Sequence, residues 1–279
     1  MYSAFCISKQ WPSFPATEST LRYFAAYLAD QVGYRTIKLY MADIPFAHIE
    51  KCLPGPFQDA PLLELLLRGI KRSVGITSQR RLPITMALLH QIKAELARAS
   101  DVLPHDKLML WSAFAFAFYG FLRSSEFTSP STKQFHPHVH LSRSDISFSS
   151  DGSLSLRLKA SKSDPYRQGC SLLLASSGRS VCTIRVLRKY LALSSPTKEA
   201  PLHLFHSGPY LTRAKATPVL RLLLQGIGVP TEHCASDSFR IGAATTAAEA
   251  GLPPWHIQTL GQWSSNCFTI YIRTPPSIL

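Results

Sequence analysis

The apolar residues of the first 75 positions recur at the three- and four-residue spacing of a helix face, which predicts helices. Three such stripes are present: Leu21, Phe24, Ala25 and Leu28; Ile37, Tyr40, Met41 and Ile44; and Leu62, Leu65, Leu66 and Ile70. Pro45 is expected to end or kink the second helix, because proline has no backbone N–H to donate and clashes with the preceding turn. Residues 1–75 are therefore predicted to form an all-helical domain.

A polar, basic segment without periodicity, Gly75 to Arg81, follows and predicts a linker. Pro83 and Thr85 then begin a new helix, and the Thr85 hydroxyl is a candidate N-cap. The buried face of this helix is expected to carry Leu88, Leu89, Ile92 and Leu96. The second domain is predicted to cover residues 82–279.

The second domain mixes helical and strand patterns. Met109 to Phe121 is a nearly continuous apolar run that predicts a buried core helix, since it is shorter than the about 20 residues of a bilayer crossing. Asp151-Gly152 is a strong hairpin turn signal between two short strand patterns. The predicted strands are Asp145–Phe148, Leu154–Leu158 and Cys170–Leu174, and the predicted later helices are Thr183–Leu193, Leu211–Leu224, Phe239–Ala250 and Pro254–Leu260. The predicted fold is mainly α with a small antiparallel β-sheet, an α+β architecture.

The charge balance indicates a polyanionic partner. The 279 residues include 30 Lys and Arg against 17 Asp and Glu, a net charge of +13. Such a field attracts nucleic acid, although a basic surface that serves only solubility is the alternative. The amino-terminal residues lack a basic segment followed by an apolar run, and the six cysteines form no C-x-x-C pair. We therefore expect a protein that is not secreted, has no membrane partner and contains free thiols.

Two separated segments carry candidate phosphate chemistry. In YGFLRSSEF (119–127), Arg123 follows an apolar helix, Ser124 or Ser125 could cap the next one, and Glu126 comes three residues later. The rigid donor fork of an arginine suits a phosphate oxygen. Lys162 lies in the loop SKSDPYRQG, between the second and third predicted strands. Taken alone, the first segment favours a surface Arg–Glu pair, and the second is more often a solvated loop.

A third segment, DSFRIGAATTAAEAGLPPWHIQTLGQWSSNCFTIYIR (237–273), is more specific. SFRIGAAT resembles the H-x-x-R segment of the tyrosine recombinase (phage integrase) family, especially its transposon-borne eukaryotic members. LGQW followed by YIR resembles the closing motif of that family. Tyr271 lies nine positions after Gln262, the family's spacing between its last His or Trp and its nucleophile. The alternative is a plain helical hairpin with Tyr271 as a core aromatic; type IB topoisomerases share the chemistry but resemble this motif less.

The resemblance implies a role for each matching residue. Arg123 and Arg240 would bind phosphate oxygens, with Glu126 holding the first guanidinium, and Lys162 would protonate the departing 5′ oxygen. Tyr271 would attack the phosphorus, giving a 3′-phosphotyrosyl link and a free 5′-hydroxyl. No metal or other cofactor is implied, because the cationic side chains supply the positive charge.

The resemblance also implies the domain roles and the partner. Residues 1–75 look like a helical core-binding (SAM-like) DNA-binding domain that begins partway through, and residues 82–279 look like the catalytic domain. Double-stranded DNA is the implied partner, and a homo-oligomer on DNA is compatible with it. The implied location is the nucleus if the host is eukaryotic and otherwise the cytoplasm.

Two positions depart from the family pattern. Asp237 occupies the place of a histidine, and an ionised carboxylate about 4 Å from a phosphate oxygen would cost on the order of 4 kcal/mol at an effective dielectric near 20. It could instead pair with Arg240, or accept the proton of Tyr271. Gln262 replaces a His or Trp but keeps an N–H donor, and Trp263 offers an indole N–H. Two hypotheses therefore stand: an active or weakened recombinase for site-specific recombination or mobile-element integration, and an element-derived DNA-binding protein that cleaves DNA poorly.

One further pattern is set aside. The alternating histidines are His136, His138 and His140. Because no Cys or carboxylate at metal-ligand spacing accompanies them, a solvent-exposed loop is favoured over a metal site.

Overall fold

The computed structural model describes residues 1–73, 81–131, 135–161, 164–176, 181–193 and 197–273. The chain divides into two units, Met1–Gln79 and Arg80–Leu279. Within the described residues, no helix combines the length and the apolarity needed to cross a membrane.

The described part of the first unit is helical, as predicted. Its helices are α1 (Tyr2–Ser8), α2 (Glu18–Ala29), α3 (Tyr34–Glu50) and α4 (Pro61–Ser73). The Thr17 hydroxyl caps α2 by accepting a bond from the Thr20 backbone N–H at 3.3 Å. The stripes predicted on α2 and α3 supply most of the buried core, which contains Leu21, Phe24, Ala25, Leu28, Ile37, Met41 and Ile44.

The ends and faces of α3 and α4 differ from the prediction. Pro45 does not end α3, which continues to Glu50 because its buried stripe runs on to His48, whose ring bonds the Ala16 N–H and the Pro54 carbonyl. The stripe predicted on α4 was wrong in part, since Leu62 and Leu65 are 50% and 66% exposed.

The buried face of α4 consists of Leu63 and Ile70 instead of Leu62 and Leu65. A Glu18 carboxylate oxygen in α2 accepts bonds from the backbone N–H groups of Leu62 and Leu63, at 2.7 and 2.9 Å. These bonds satisfy the first amides of α4 and tie the start of the helix to α2.

The second unit has the predicted mixed architecture. Its helices are α5 (Met86–Arg98), α6 (Pro104–Tyr119), α7 (Ser124–Phe127), α8 (Thr183–Ala192), α9 (Arg213–Gly226), α10 (Ser238–Glu249) and α11 (Pro254–Leu260). Its strands are β1 (Ile146–Phe148), β2 (Leu154–Leu158) and β3 (Cys170–Leu174), antiparallel in the order β1-β2-β3. Short 3₁₀ helices span Arg143–Asp145 and Asn266–Ile270.

The local signals in the second unit act as predicted. Thr85 caps α5 by accepting a bond from the Leu88 backbone N–H at 3.4 Å. Gly152 takes a left-handed φ of 82° in the turn between β1 and β2. Side chains of β2 alternate between buried leucines and more exposed residues, so one face covers the core. The predicted mainly α fold with a small antiparallel sheet is confirmed.

Helix α6 is the centre of the second unit, and α10 packs against it. Met109 to Phe118 of α6 are all buried, which explains why this helix is apolar on every side. The chain enters the unit beside α10, where the Ile84 backbone N–H donates to the Ser238 carbonyl at 2.9 Å. Gly242 permits this approach, since a Cβ there would lie 1.8 Å from the Ile84 oxygen. These contacts fix the helix that carries Arg240.

Candidate functional site

A buried ion pair surrounds the start of α7. The Glu126 carboxylate accepts bonds from the backbone N–H of Arg123 at 2.7 Å and from its Nη1 at 2.8 Å. The Glu126 side chain is 1% exposed and that of Arg123 is 19% exposed. The hydroxyl of Ser161, three residues after β2, accepts a bond from Arg123 Nη1 at 2.5 Å and donates one to Glu126 at 3.1 Å. Glu126 therefore orients Arg123, which still reaches the surface.

The cap of α7 differs from the prediction. Arg123, and neither Ser124 nor Ser125, is the N-cap, because the Glu126 carboxylate already accepts its backbone N–H. Ser124 is instead buried, and its hydroxyl bonds that of Ser236 at 2.7 Å. This bond joins the start of α7 to the residue that precedes Asp237.

Arg240 lies next to this cluster and is 2% exposed. Its Nη1 donates to the carbonyl of Phe121 and its Nη2 to the carbonyl of Gly261. Among the described residues, its buried Nε has no acceptor. Burial, reinforced by the positive charge of Arg123, lowers the pKa of Arg240 to about 10, so the guanidinium stays charged at neutral pH.

Aromatic rings cover the Arg240 guanidinium. The Trp263 ring lies 4.2 Å from the Arg240 Cζ atom, close enough for a cation–π contact, and the Tyr271 ring lies 5.9 Å away. The two rings contact each other with centroids 5.3 Å apart. Gly261 makes room for the indole, since a Cβ there would lie 1.6 Å from Trp263 Cζ3.

Tyr271 follows the 3₁₀ helix Asn266–Ile270 and is half-buried. Its backbone N–H donates to the Phe268 carbonyl at 2.9 Å, and its carbonyl accepts from the Thr245 hydroxyl at 3.3 Å. Thr245 lies in α10, five residues after Arg240. The helix that carries the arginine therefore also anchors the segment that carries the tyrosine.

Gln262 occupies a left-handed backbone position with a φ of 53°. Its Oε1 accepts a bond from the Cys170 thiol at 3.0 Å, while its buried Nε2 has no acceptor within the described residues. Burial, with the nearby charges of Glu126 and Asp164, raises the pKa of Cys170 and keeps it a donor. Gln262 thus retains a buried N–H donor, as its residue type suggested.

The predicted alternative, a pairing of Asp237 with Arg240, was wrong. The aspartate does not pair with Arg240, whose two Nη atoms are held by backbone carbonyls. Its carboxylate instead lies 3.1 Å from Nη2 of Arg213, the first residue of α9. The pair is exposed to solvent, with 41% of the aspartate and 58% of the arginine side chain accessible.

Lys162 lies outside the described residues. It directly follows Ser161 in the sequence, and Ser161 contacts both Arg123 and Glu126. Another lysine of this region, Lys159, is already engaged at 2.6 Å from the Asp145 carboxylate and at 3.1 Å from the Ser142 hydroxyl.

The structure thus brings together Arg123, Glu126, Arg240, Gln262, Trp263 and Tyr271, and it places Asp237 at the exposed start of α10. Sequence reasoning missed Ser161, Arg213 and Cys170. Ser161 adjoins the predicted Lys162, which is a usable signal, but the other two have none in one sequence. Among the described residues, no group of three His, Cys, Asp or Glu side chains could hold a metal ion.

Comparison with solved structures identifies the fold. The XerH site-specific recombinase, in a post-cleavage complex with palindromic difH substrate, has a TM-score of 0.66 at 15% identity, covering 92% of this chain and 69% of its own. The Tn1549 transposon integrase, in complex with circular intermediate DNA, has a TM-score of 0.60 at 14% identity, covering 95% and 83%. No protein-family model and no curated protein matches the sequence. The chain therefore has the tyrosine recombinase fold.

Proposed function

We propose that this protein is a DNA-binding tyrosine recombinase or integrase that cleaves and rejoins DNA through a 3′-phosphotyrosyl intermediate. One observation carries the proposal: Arg123, Arg240 and Tyr271, from three structural elements, lie close together with Glu126 and Trp263. Arginines that converge beside a tyrosine suit a phosphodiester under attack, because their donors offset the charge that grows on the phosphate oxygens.

The attack and the departure of the leaving group each have a candidate residue. The Tyr271 oxygen, whose proton passes to a water molecule, attacks the phosphorus, and the bond from phosphorus to the 5′ oxygen breaks. Lys162 gives the departing oxygen a proton, and rejoining reverses these transfers. Lys159 is a poorer candidate for this role because its ammonium is held by Asp145. Gln262 Nε2 is a candidate further donor to the phosphate.

The partner and setting complete the proposal. The net charge of +13 supports duplex DNA as the partner, and XerH and the Tn1549 integrase were solved in complexes with DNA. We infer that the second unit is the catalytic domain and that Met1–Gln79 is a core-binding domain. Integration or recombination of a mobile element, by copies of the chain assembled on DNA, is the setting we favour, in the nucleus if the host is eukaryotic.

A second candidate function is DNA binding with impaired cleavage, and Asp237 favours it. Its carboxylate adds negative charge three residues before Arg240, on the helix that would face the phosphate. Both functions predict salt-sensitive binding to duplex DNA, so only the chemistry separates them.

Covalent trapping on a random-sequence pool of nicked suicide duplexes tests the proposal. We expect a denaturant-resistant protein–DNA adduct with the wild-type chain and none with Tyr271→Phe. Tyr210→Phe is the matched control, since Tyr210 is also a half-buried tyrosine of the second unit. An adduct that persists in Tyr271→Phe would refute the assigned nucleophile. An adduct formed only by Asp237→His would establish the binding function instead.

A further inference from the structure

The ion pair between Arg213 and Asp237 has no evident role in folding. Both side chains are largely solvated, and exposed pairs contribute little to stability. Asp237 is the N-cap of α10, but its side chain accepts no bond from the helix amides, the usual task of an aspartate side chain at this position. Its carboxylate is directed instead at Arg213. The aspartate therefore orients a cation at the surface rather than closing a helix end.

Hydrogen bonds connect the start of α9 to the elements of the candidate site. The Thr212 hydroxyl caps α9 by accepting a bond from the Lys215 N–H at 3.3 Å, which sets where the helix begins. The Ser129 N–H donates to the Leu211 carbonyl at 2.9 Å, so the start of α9 is tied to the residues just after α7. The bond between Ser124 and Ser236 ties α7 to the start of α10. Arg213 thus lies on elements held together with those of Arg123 and Arg240.

The chemistry of this position suits a phosphate. Among the described residues, Asp237 is the only hydrogen-bond acceptor that Arg213 has, and this bond uses one of its five N–H donors. A planar guanidinium can hold a carboxylate with one edge and offer the rest of its fork to a second oxyanion. Because the arginine is 58% exposed, such a ligand reaches it without rearrangement of the core.

We propose that Arg213, aimed by Asp237, is a further ligand for the DNA backbone and binds a phosphate oxygen near the proposed cleavage site. The inference rests on the proposed function, since it takes duplex DNA as the partner. Asp237 then acts as a positioning residue, and its negative charge is offset by the arginine that it holds.

Salt-dependent binding of the full chain to a fluorescein-labelled random-sequence duplex tests this inference. We expect Arg213→Ala to weaken binding about three- to fivefold at low salt, and to reduce the slope of log Kd against log salt by about 0.9, the loss of one phosphate contact. Arg98→Ala is the control, because Arg98 is a similarly exposed arginine paired with Glu95 at 3.5 Å, and it should leave the slope unchanged.

A double variant separates phosphate binding from simple charge compensation. If Arg213 contacts phosphate, Asp237→Asn/Arg213→Ala stays weaker than wild type with the reduced slope. Recovery of wild-type affinity and slope in the double variant would mean that Arg213 only neutralises Asp237, and the inference would be wrong. Wild-type slope in Arg213→Ala, with an intact Tyr271 adduct, would overturn this inference alone. Absence of duplex binding by the folded wild-type chain would overturn the proposed function with it.

Discussion

Breaking the buried pair of Arg123 and Glu126 should destabilise the protein far more than breaking a surface pair of the same spacing. Glu126 is 1% exposed, and Arg123→Ala removes the cation that faces its carboxylate. Stranding a buried charge costs about 3–5 kcal/mol. The Ser161 hydroxyl and the backbone N–H of residue 123 still donate to Glu126, so we expect the lower end, a loss of about 3 kcal/mol in the free energy of unfolding.

The second unit contains its own control. Arg98 and Glu95 are also three residues apart, at 3.5 Å, but their side chains are 75% and 26% exposed. Arg98→Ala should therefore cost about 0–1 kcal/mol. Arg123→Ala/Glu126→Gln should recover part of the loss seen in Arg123→Ala, because the second change removes the stranded charge.

Urea unfolding followed by tryptophan fluorescence measures these losses. Trp11→Phe is the suitable background, because the remaining tryptophans, Trp111, Trp255 and Trp263, all lie in the second unit. A loss in Arg123→Ala no larger than that in Arg98→Ala would contradict the reasoning. So would a double variant less stable than Arg123→Ala, because Glu126 would then not be the stranded charge.

Two further predictions concern other parts of the second unit. Burial lowers the pKa of His203 to about 3, below its ordinary value of 6.5. Between about pH 3 and pH 6.5 the imidazole is therefore protonated in the unfolded chain but neutral in the folded one, so stability falls as the pH drops below 6.5. The loss in the free energy of unfolding that His203 causes should reach about 2 kcal/mol by about pH 5. Urea unfolding at about pH 5 and at a pH above 6.5 should show a much smaller loss in His203→Gln. Gly261→Ala should displace the Trp263 indole, which a Cβ would meet at 1.6 Å, and shift tryptophan emission to the red. Gly69→Ala, which meets nothing within 4 Å, is the control; an unshifted spectrum in Gly261→Ala would contradict the packing.

Local sequence patterns predicted the structure correctly where they were compatible with a single arrangement of the element. The bounds of β2 and β3 agree with the prediction to the residue. For β2, the alternation of leucines with polar residues and the hairpin turn signal before it leave little freedom. Helix α4 shows the opposite case. Its leucine-rich sequence offers two apolar faces, and the choice between them depends on packing against the core of the first unit, which its own sequence does not reveal.

The same distinction applies to the candidate site. The contact of Arg123 with Glu126 was predictable, because residues three apart share a face of one turn. The partner of Asp237 was not, since Arg213 precedes it by 24 residues and belongs to another helix. Its position in a motif indicated that Asp237 departs from the family pattern. Which cation pairs with its carboxylate depends on the packing of α9 against its neighbours.

The rings over Arg240 belong to the segment that carries the proposed nucleophile. Two bonds, to the carbonyls of Phe121 and Gly261, leave three of the five N–H donors of Arg240 for another ligand. The rings of Trp263 and Tyr271 lie 4.2 and 5.9 Å from its Cζ atom, and both follow α11 in the sequence. The surroundings of the arginine therefore include the tyrosine itself, and a change that displaces this segment alters both groups at once.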